Sequence, residues 1–413
     1  MLSILYTMEE NGWPLIPREH YMEKIMASKD APFIKVITGI RRCGKTTLMQ
    51  MFRRWLLESG VDASRILSIN FDSEESWIPR DRTGLYQYVS ENAVLGKGTY
   101  LFFDEIQNVE GWEAPVRTFY DKGCDTYITG SNSQMLSSEI STKLSGRDIE
   151  IRMAPLVFSE YAMFRKGSGR TMDQLFQDYI LHGGLPAIAI SEDTKASVLI
   201  PEMIAGVYNS VVIKDVMERH DIRNPASLRN LMRFVMRNIG DRTSSRKASN
   251  YMTSAGTKIS HVTVDEYLDY LDEAYLAIRS RRIDSKTSEY MVTSDKFYAQ
   301  DLGIRNHVAP FRPEDIDGLI ENVVFNELVF RYGEVCVCNV GDLEVDFLAD
   351  PKGKPQYFQV CTNISDPDTL ERELRPFRVL EDSYPRTIIV YDRYPMDSVE
   401  GVRIVSLLDW LLE

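Results

Sequence analysis

Along the first third of the chain, short blocks dominated by apolar and β-branched residues alternate with stretches in which apolar residues recur every third or fourth position. That is the pattern of buried parallel strands joined by helices. Phe33-Ile34-Lys35-Val36-Ile37-Thr38 reads as a buried strand, and Lys45 to Ser59, with Leu48, Phe52, Trp55 and Leu56 at helical spacing, as the helix after it. Gly60 stands where that helix should stop. Further strands are expected at about Ile66 to Phe71, Tyr100 to Asp104, Asp125 to Thr129 and Asp148 to Met153. From about Phe158 to Arg223 the pattern is helical, broken by Gly183-Gly184-Leu185-Pro186. The break suits a hinge, a backbone that approaches a ligand, or a tight turn between helices.

The rest of the chain changes character twice. Between about Asn224 and Asp295 the order is three helices and two strands: Ala226 to Ile239, Ser245 to Ser254, a helix starting at Thr263, then Tyr275 to Arg279 and Tyr290 to Ser294. Thr263-Val264-Asp265-Glu266 has the form of a capping box. The order suits a winged-helix-like module. From Gly318 a helix (Leu319 to Tyr332) precedes strands at Val335 to Val340, Leu343 to Ala349 and Gln356 to Thr362, a helix, and a strand at Arg386 to Tyr391. This succession resembles the α/β restriction-endonuclease-like core.

The first strand leads into Gly39-Ile40-Arg41-Arg42-Cys43-Gly44-Lys45-Thr46, followed by Thr47, which satisfies the phosphate-binding loop pattern at every fixed position. Strand, glycine loop and helix together direct backbone N–H groups and a helix N-terminus at phosphates, so the chain is expected to bind a nucleoside triphosphate. Lys45 supplies a point charge for the β- and γ-phosphates, and the Thr46 hydroxyl is the expected protein ligand of Mg²⁺. Gly39 and Gly44 let the backbone bend close to the ligand. Cys43 reads as a small loop filler, or as an oxidisable thiol beside Arg42 and Lys45.

Tyr100-Leu101-Phe102-Phe103-Asp104-Glu105 is an apolar strand ending in two carboxylates, the Walker B pattern. Asp104 is expected to hold Mg²⁺ through water and Glu105 to act as the base on the attacking water. The strand after it ends in Gly130-Ser131-Asn132, where Asn132, or failing it Ser131, is expected to sense the γ-phosphate. Arg147, before the next strand, is a candidate for stabilising transition-state charge, in its own subunit or in a neighbour's.

At this point the chain resembles bacterial and archaeal AAA-type ATPases with a C-terminal domain of uncharacterised function. The likeness rests on Gly39 to Thr47, on Phe103-Asp104-Glu105-Ile106-Gln107 with Gly111-Trp112-Glu113, on Thr129 to Ser133 and on Gly146-Arg147. Pro155 to Tyr161 and His182-Gly183-Gly184-Leu185-Pro186 continue it. The resemblance implies an ATPase core of five parallel strands, with another strand between the Walker A and Walker B strands, and a small helical lid. The expected fold class is α/β: a P-loop core over 1–157, a helical lid over 158–223, a winged-helix-like module over 224–315 and a restriction-endonuclease-like domain over 316–413.

Neither C-terminal module carries the residues its fold suggests. The third helix of the winged-helix segment presents Asp265, Glu266, Asp269, Asp272 and Glu273 with no basic residue, unlike a helix that reads base edges. Arg229, Arg233 and Arg237 on the first helix, and Arg279, Arg281, Arg282 and Lys286 near the wing, keep salt-sensitive DNA contacts open. In the last domain Asp346 stands where a metal-binding Asp belongs, with Glu344 on the same strand face and Glu321 or Glu327 on the preceding helix. The next strand offers Gln359-Val360-Cys361 where an acidic residue and a lysine are needed, so cutting is not expected.

Composition narrows the picture further. A length of 413 residues suits two or three domains. A net charge of −13 opposes indiscriminate binding to nucleic acid. No apolar run approaches bilayer length, and the first residues lack a signal-peptide layout, so a cytoplasmic protein without membrane contact is expected. Five cysteines without repeated spacing argue against a disulfide framework or zinc. The expected function is Mg²⁺-dependent ATP binding and hydrolysis coupled to movement of the C-terminal modules, with ATP and Mg²⁺ as ligands. The alternatives are a nucleotide-regulated DNA- or protein-binding scaffold with little turnover, and an ATP-gated nuclease. The partner, a protein or a further copy of the chain, stays open.

Overall fold

The computed structural model describes residues 7–8, 14–75, 77–130, 144, 146–291 and 294–413, which fall into two compact units, Met1–Ala154 and Pro155–Glu413. In the first, the short strands β1 (Thr7–Met8) and β2 (Pro14–Leu15) pair antiparallel ahead of helix α1 (Glu19–Ala27). Strands and helices then alternate: β3 (Ile34–Thr38), α2 (Lys45–Glu58), β4 (Ile66–Asn70), α3 (Arg82–Asn92), β5 (Tyr100–Asp104), α4 (Glu113–Asp121), β6 (Asp125–Thr129) and β7 (Asp148–Arg152). The sheet is parallel throughout, in the order β4-β5-β6-β3-β7, so β6 separates the strand before the glycine loop from the strand that ends in Asp104.

Parallel sheets are covered on both faces, which is why β3, β5 and β6 carry no alternation of polar and apolar residues and are buried along their whole length. Leu101, Phe102 and Phe103 are each fully buried, worth about 1.5–3 kcal/mol apiece. The one charge inside β3, Lys35, is buried against the Asp125 carboxylate and donates to the Ala31 carbonyl at 2.8 Å. Its partners belong to the N-terminal ends of the strands, opposite the glycine loop.

The second unit opens with α5 (Phe158–Phe164), α6 (Met172–His182), α7 (Pro186–Ser191) and α8 (Ile200–Ser210). Helix α8 runs on into a π-helical segment, Val211–Glu218. Contrary to the expectation that no apolar run approaches bilayer length, the continuous helix Lys195–Glu218 is long and apolar enough to cross a membrane by length and composition. Ile204, Val207, Val211, Val212 and Val216 are nevertheless buried, and α8 packs on α12 (Leu302–Val308).

The Gly183-Gly184 break folds onto Asp301. The Gly184 amide donates to Asp301 Oδ2 at 2.8 Å, and a Cβ on Gly183 would stand 2.4 Å from the same carboxylate. A Cβ on Gly184 would meet the Leu156 carbonyl oxygen at 2.2 Å, so both glycines are required by close approach. Burial pushes the Asp301 carboxyl up to about 6 despite the amides that hydrogen-bond it.

Helices α9 (Pro225–Arg237), α10 (Ser245–Ser254) and α11 (His261–Glu273) follow. Helix α11 starts earlier than its Thr-x-x-Glu string suggests, because Ser260 is the cap and accepts the Thr263 amide at 3.1 Å. Strand β8 (Ala277–Ser280) pairs antiparallel with β10 (Lys296–Ala299), not with the expected Tyr290 to Ser294. The intervening β9 (Arg282–Asp284) instead joins the C-terminal sheet, parallel to β11 (Val335–Val340), and Tyr290 makes a single bridge to Ile283. That sheet also contains β12 (Leu343–Ala349), β13 (Gln356–Cys361), β14 (Arg386–Val390), β15 (Ser398–Val399) and β16 (Val402–Ser406). It has the order β15-β16-β14-β13-β12-β11-β9 and packs against α13 (Ile316–Tyr332), α14 (Pro367–Val379) and α15 (Leu407–Leu412).

Candidate active site

The glycine loop leaves the end of β3 and closes at the first turn of α2. Gly39 has φ +136°, and a Cβ there would lie 2.0 Å from the Met153 carbonyl oxygen, so only glycine fits. Gly44, with φ 104°, turns the chain into α2 in the left-handed region. Lys45 is the first residue of that helix and is buried; its Nζ donates back to the carbonyls of Gly39 (2.8 Å) and Ile40 (3.2 Å). The ammonium therefore lies within the loop, where a phosphate approaching the helix N-terminus meets it. Ile40 is buried, Arg41 is half-buried and Arg42 is exposed with φ 65°. Cys43 is fully buried with Sγ 3.8 Å from the Met153 carbonyl oxygen, the position of a loop filler. Thr47 follows Thr46 in the first turn of α2.

Asp104, at the end of β5, gathers the other half of the site. The Thr46 hydroxyl donates to its Oδ2 at 2.8 Å, and the Thr129 hydroxyl donates to its Oδ1. Burial raises the Asp104 carboxyl above its ordinary value, with the two hydroxyl donors opposing that shift. Glu105 adopts φ 52° as the chain leaves the strand, its amide donates to Thr129 Oγ1 at 2.9 Å, and the Gln107 amide nitrogen donates to its carboxylate. A hydroxyl and a carboxylate 2.8 Å apart at a helix N-terminus form a hard oxygen donor set of the kind Mg²⁺ takes, so Thr46 and Asp104 fit that ion.

Thr129 belongs to the site without any spacing in the sequence that marks it. The register of the sheet, with Phe103 beside Ile128, puts the ends of β5 and β6 together, and only a hydroxyl can donate to Asp104 while accepting from Glu105. Ser131 and Asn132 lie outside the described residues. Arg147 is placed, and its location corrects one expectation. Its carbonyl accepts the Ile34 amide at 2.7 Å at the start of β3, about 16 Å along the strand from Gly39. Its side chain pairs with Asp121 at 3.2 Å and lies over the Tyr120 ring. That placement sets Arg147 away from the loop of its own subunit.

In the second unit Asp346, Glu344 and Gln359 do come together, and a lysine comes with them from an unforeseen strand. Lys296 on β10 is buried, with Nζ 3.0 Å from Glu321, 3.0 Å from Glu344 and 3.9 Å from Asp346. Gln359 Oε1 accepts the Asp346 amide at 3.2 Å, and Asp346 Oδ2 accepts the Val360 amide at 2.9 Å. Glu344 is also bound by Arg242 at 2.7 Å, and Glu327 pairs with Arg331 on its own helix instead of joining the cluster. The carboxylates surround an ammonium: among the described residues no group of three His, Cys, Asp or Glu is arranged to hold a metal. Of the arginines expected near a wing, Arg282 is buried on Asn339, Arg279 is paired with Asp269 and Arg281 is exposed; Arg229, Arg233 and Arg237 on α9 are exposed.

Comparison with known proteins gives the family. Residues 31–162 match the model of an AAA domain, and residues 173–315 that of a domain of unknown function (DUF8612). An uncharacterised protein of Haemophilus influenzae is 31% identical over 404 residues, covering 97% of this chain and 99% of its own length. The chain belongs to this family of AAA-domain proteins. An uncharacterised protein of Methanocaldococcus jannaschii is 31% identical over 359 residues, 83% of this chain and 78% of its own. A solved Walker-type ATPase of Pyrococcus abyssi shares the fold, with a TM-score of 0.50 at 15% identity over 71% of this chain and 95% of its own. The glycine loop and Asp104 both fall inside the AAA domain.

Proposed function

We propose that the chain is a Mg²⁺-dependent ATPase whose turnover moves its C-terminal modules. The observation that carries the reading is the bond from Thr46 to Asp104, which joins the phosphate loop to the carboxylate strand in one polar cluster. Lys45 and the loop amides bind the β- and γ-phosphates; Thr46 and Asp104 would hold the metal. Mg²⁺ supplies neutralisation of the charge that develops on the phosphates. Glu105, oriented by Gln107 and the Thr129 hydroxyl, takes the proton of the attacking water, and Asn132 senses the γ-phosphate. Arg147 serves across a subunit boundary if the chain assembles into a ring. Phosphate release at saturating ATP, with Mg²⁺ and then with excess chelator, tests the reading: turnover only with Mg²⁺ is expected, and equal release in both would overturn it.

For the second unit we infer a winged-helix-like module followed by a restriction-endonuclease-like scaffold that recognises a partner without cutting. Lys296 supplies the ammonium that Cys361 cannot, but Gln359, a neutral amide whose Oε1 accepts the Asp346 amide, stands where a cutting site needs a second acidic ligand, and Glu321 and Glu344 are engaged by Lys296. Exposed Asp265, Glu266 and Asp269 on α11, with Arg279 and Arg282 engaged internally, favour a protein partner over DNA. Strong stimulation of phosphate release by duplex DNA would count against that preference. Plasmid cleavage that is lost in Asp346→Ala would reinstate the nuclease reading.

A further inference from the structure

Helix α1 is not part of the glycine loop or of the carboxylate strand, yet its N-terminal residue reaches the loop. Arg18, the N-cap of α1, is 6% exposed, and its Nη1 donates to two carbonyl oxygens far apart in sequence: Cys43, in the loop, at 3.2 Å, and Ala154 at 2.6 Å. The guanidinium lies 4.5 Å from the Tyr21 ring centroid, and the Tyr21 hydroxyl accepts the Ala154 amide at 3.1 Å. Ala154 is the last residue of the N-terminal unit.

The same short segment touches the loop at two more points. The Met153 amide donates to Thr38 at 2.8 Å, and the Met153 carbonyl leaves room for Gly39 only because Gly39 has no Cβ. Cys43 Sγ faces that same carbonyl. Residues 153–154 therefore form a strap against both ends of the loop, with Arg18 as the cationic pin between strap and loop. In a trans peptide the carbonyl and the next N–H point in opposite directions, so holding the Cys43 carbonyl on Arg18 turns the Gly44 N–H away from it. Rotation of that peptide to receive or release a phosphate must strain or break the bond to Arg18.

We propose that Arg18 is a positioning residue of the nucleotide site, fixing the loop's Cys43–Gly44 peptide and passing the loop's state to the Met153–Ala154 strap at the end of the unit. This rests on the ATP-binding reading above. Arg18 touches no nucleotide in this account; it acts through the loop carbonyl. The strap gives the loop a physical route to the chain that continues into the second unit, by covalent connection alone.

The test uses the full chain. ATP and ADP affinities are measured by calorimetry for the wild type, Arg18→Ala, Arg18→Lys and Lys45→Ala, alongside hydrogen exchange of the peptide spanning residues 148–156 with and without saturating ATP. Arg18→Ala is expected to bind about tenfold more weakly, the scale of a lost charged hydrogen bond. It should also lose the ATP-induced change in exchange at 153–154 even when saturated, and regain affinity with millimolar ethylguanidine. Arg18→Lys, which keeps the charge and one donor direction, should fall between; it carries the test if the alanine variant does not fold. Wild-type affinity and a wild-type exchange response in either folded variant would overturn the proposal. Absence of ATP binding by the wild-type chain would overturn the parent reading instead.

Discussion

The Thr46 hydroxyl donates to Asp104 Oδ2 across 2.8 Å, joining residues 58 positions apart. Thr46 is there because the glycine loop delivers it to the first turn of α2, and Asp104 because β5 ends one strand away from β3. Two motifs that are separate strings in sequence are one site in the fold, and its behaviour can be anticipated from the groups that surround the carboxylate.

Thr129 is the first test of that cluster. Thr129→Val keeps the shape of the side chain but removes the donor to Asp104 and the acceptor for the Glu105 amide. Turnover should fall about ten- to hundredfold, the scale seen when a residue supporting a metal ligand is lost, while ATP affinity changes little. Titration and phosphate release on the same preparation separate the two effects. Equal losses of binding and turnover would assign Thr129 to loop integrity instead.

Asp104 should show its burial in the pH dependence of stability. An acid raised above its unfolded value of 3.8 holds its proton more tightly when folded, so the folded state loses stability as pH climbs from that value through the folded one. Asp104→Asn should therefore raise the melting temperature of the nucleotide-free chain at pH 7 while lowering Mg²⁺-dependent turnover. A lower melting temperature than wild type at pH 7 would show that the carboxylate's hydrogen bonds outweigh its desolvation.

Lys296 holds the second unit together by charge. Lys296→Met leaves the half-buried Glu321 and Asp346 without their cation, while Glu344 keeps Arg242, and should cost about 1–3 kcal/mol in urea unfolding followed by a probe in that unit. The neighbouring carboxylates, opposing a strong desolvation effect, raise the Lys296 pKa above its unfolded value of 10.5. The pair's contribution is thus complete below that value and is lost as pH rises through the folded one. A variant as stable as wild type at pH 7 would mean that the cluster adjusts without its cation.

Gly184 makes a steric prediction. Gly184→Ala places a methyl group 2.2 Å from the Leu156 carbonyl oxygen, and a destabilisation of about 1–3 kcal/mol is expected by thermal or urea unfolding. A neutral substitution would show that the turn over Asp301 has room to shift.

The nucleotide half of the molecule was legible in the sequence for a physical reason. Strands covered on both faces print as unbroken apolar runs, so β3, β5 and β6 stood out, and the glycines at 39 and 44 mark backbone that no other residue can follow. Lateral relationships were not legible. Thr129 matters because of strand register, and Lys296 because β10 is brought beside β12 in three dimensions; neither leaves a spacing in the chain. The second strand expected at Tyr290 to Ser294 differs from the one found because Arg282–Asp284 pairs with a strand more than fifty residues later, leaving β10 to pair with β8. Spacing also carries no direction for Arg147: a residue ahead of a parallel strand lies at the edge away from a loop that follows one, so only the part of the expectation that set it on its own loop is corrected.

In the proposed function Lys45, Thr46, Asp104 and Glu105 form one hydrolytic ATP site. Its most direct test is Glu105→Gln, with ATP binding and phosphate release measured side by side. Glu105→Gln should keep wild-type ATP affinity with turnover reduced at least about a hundredfold, the scale of a lost catalytic base. Phosphate release at the wild-type rate by a variant that binds ATP normally would contradict it.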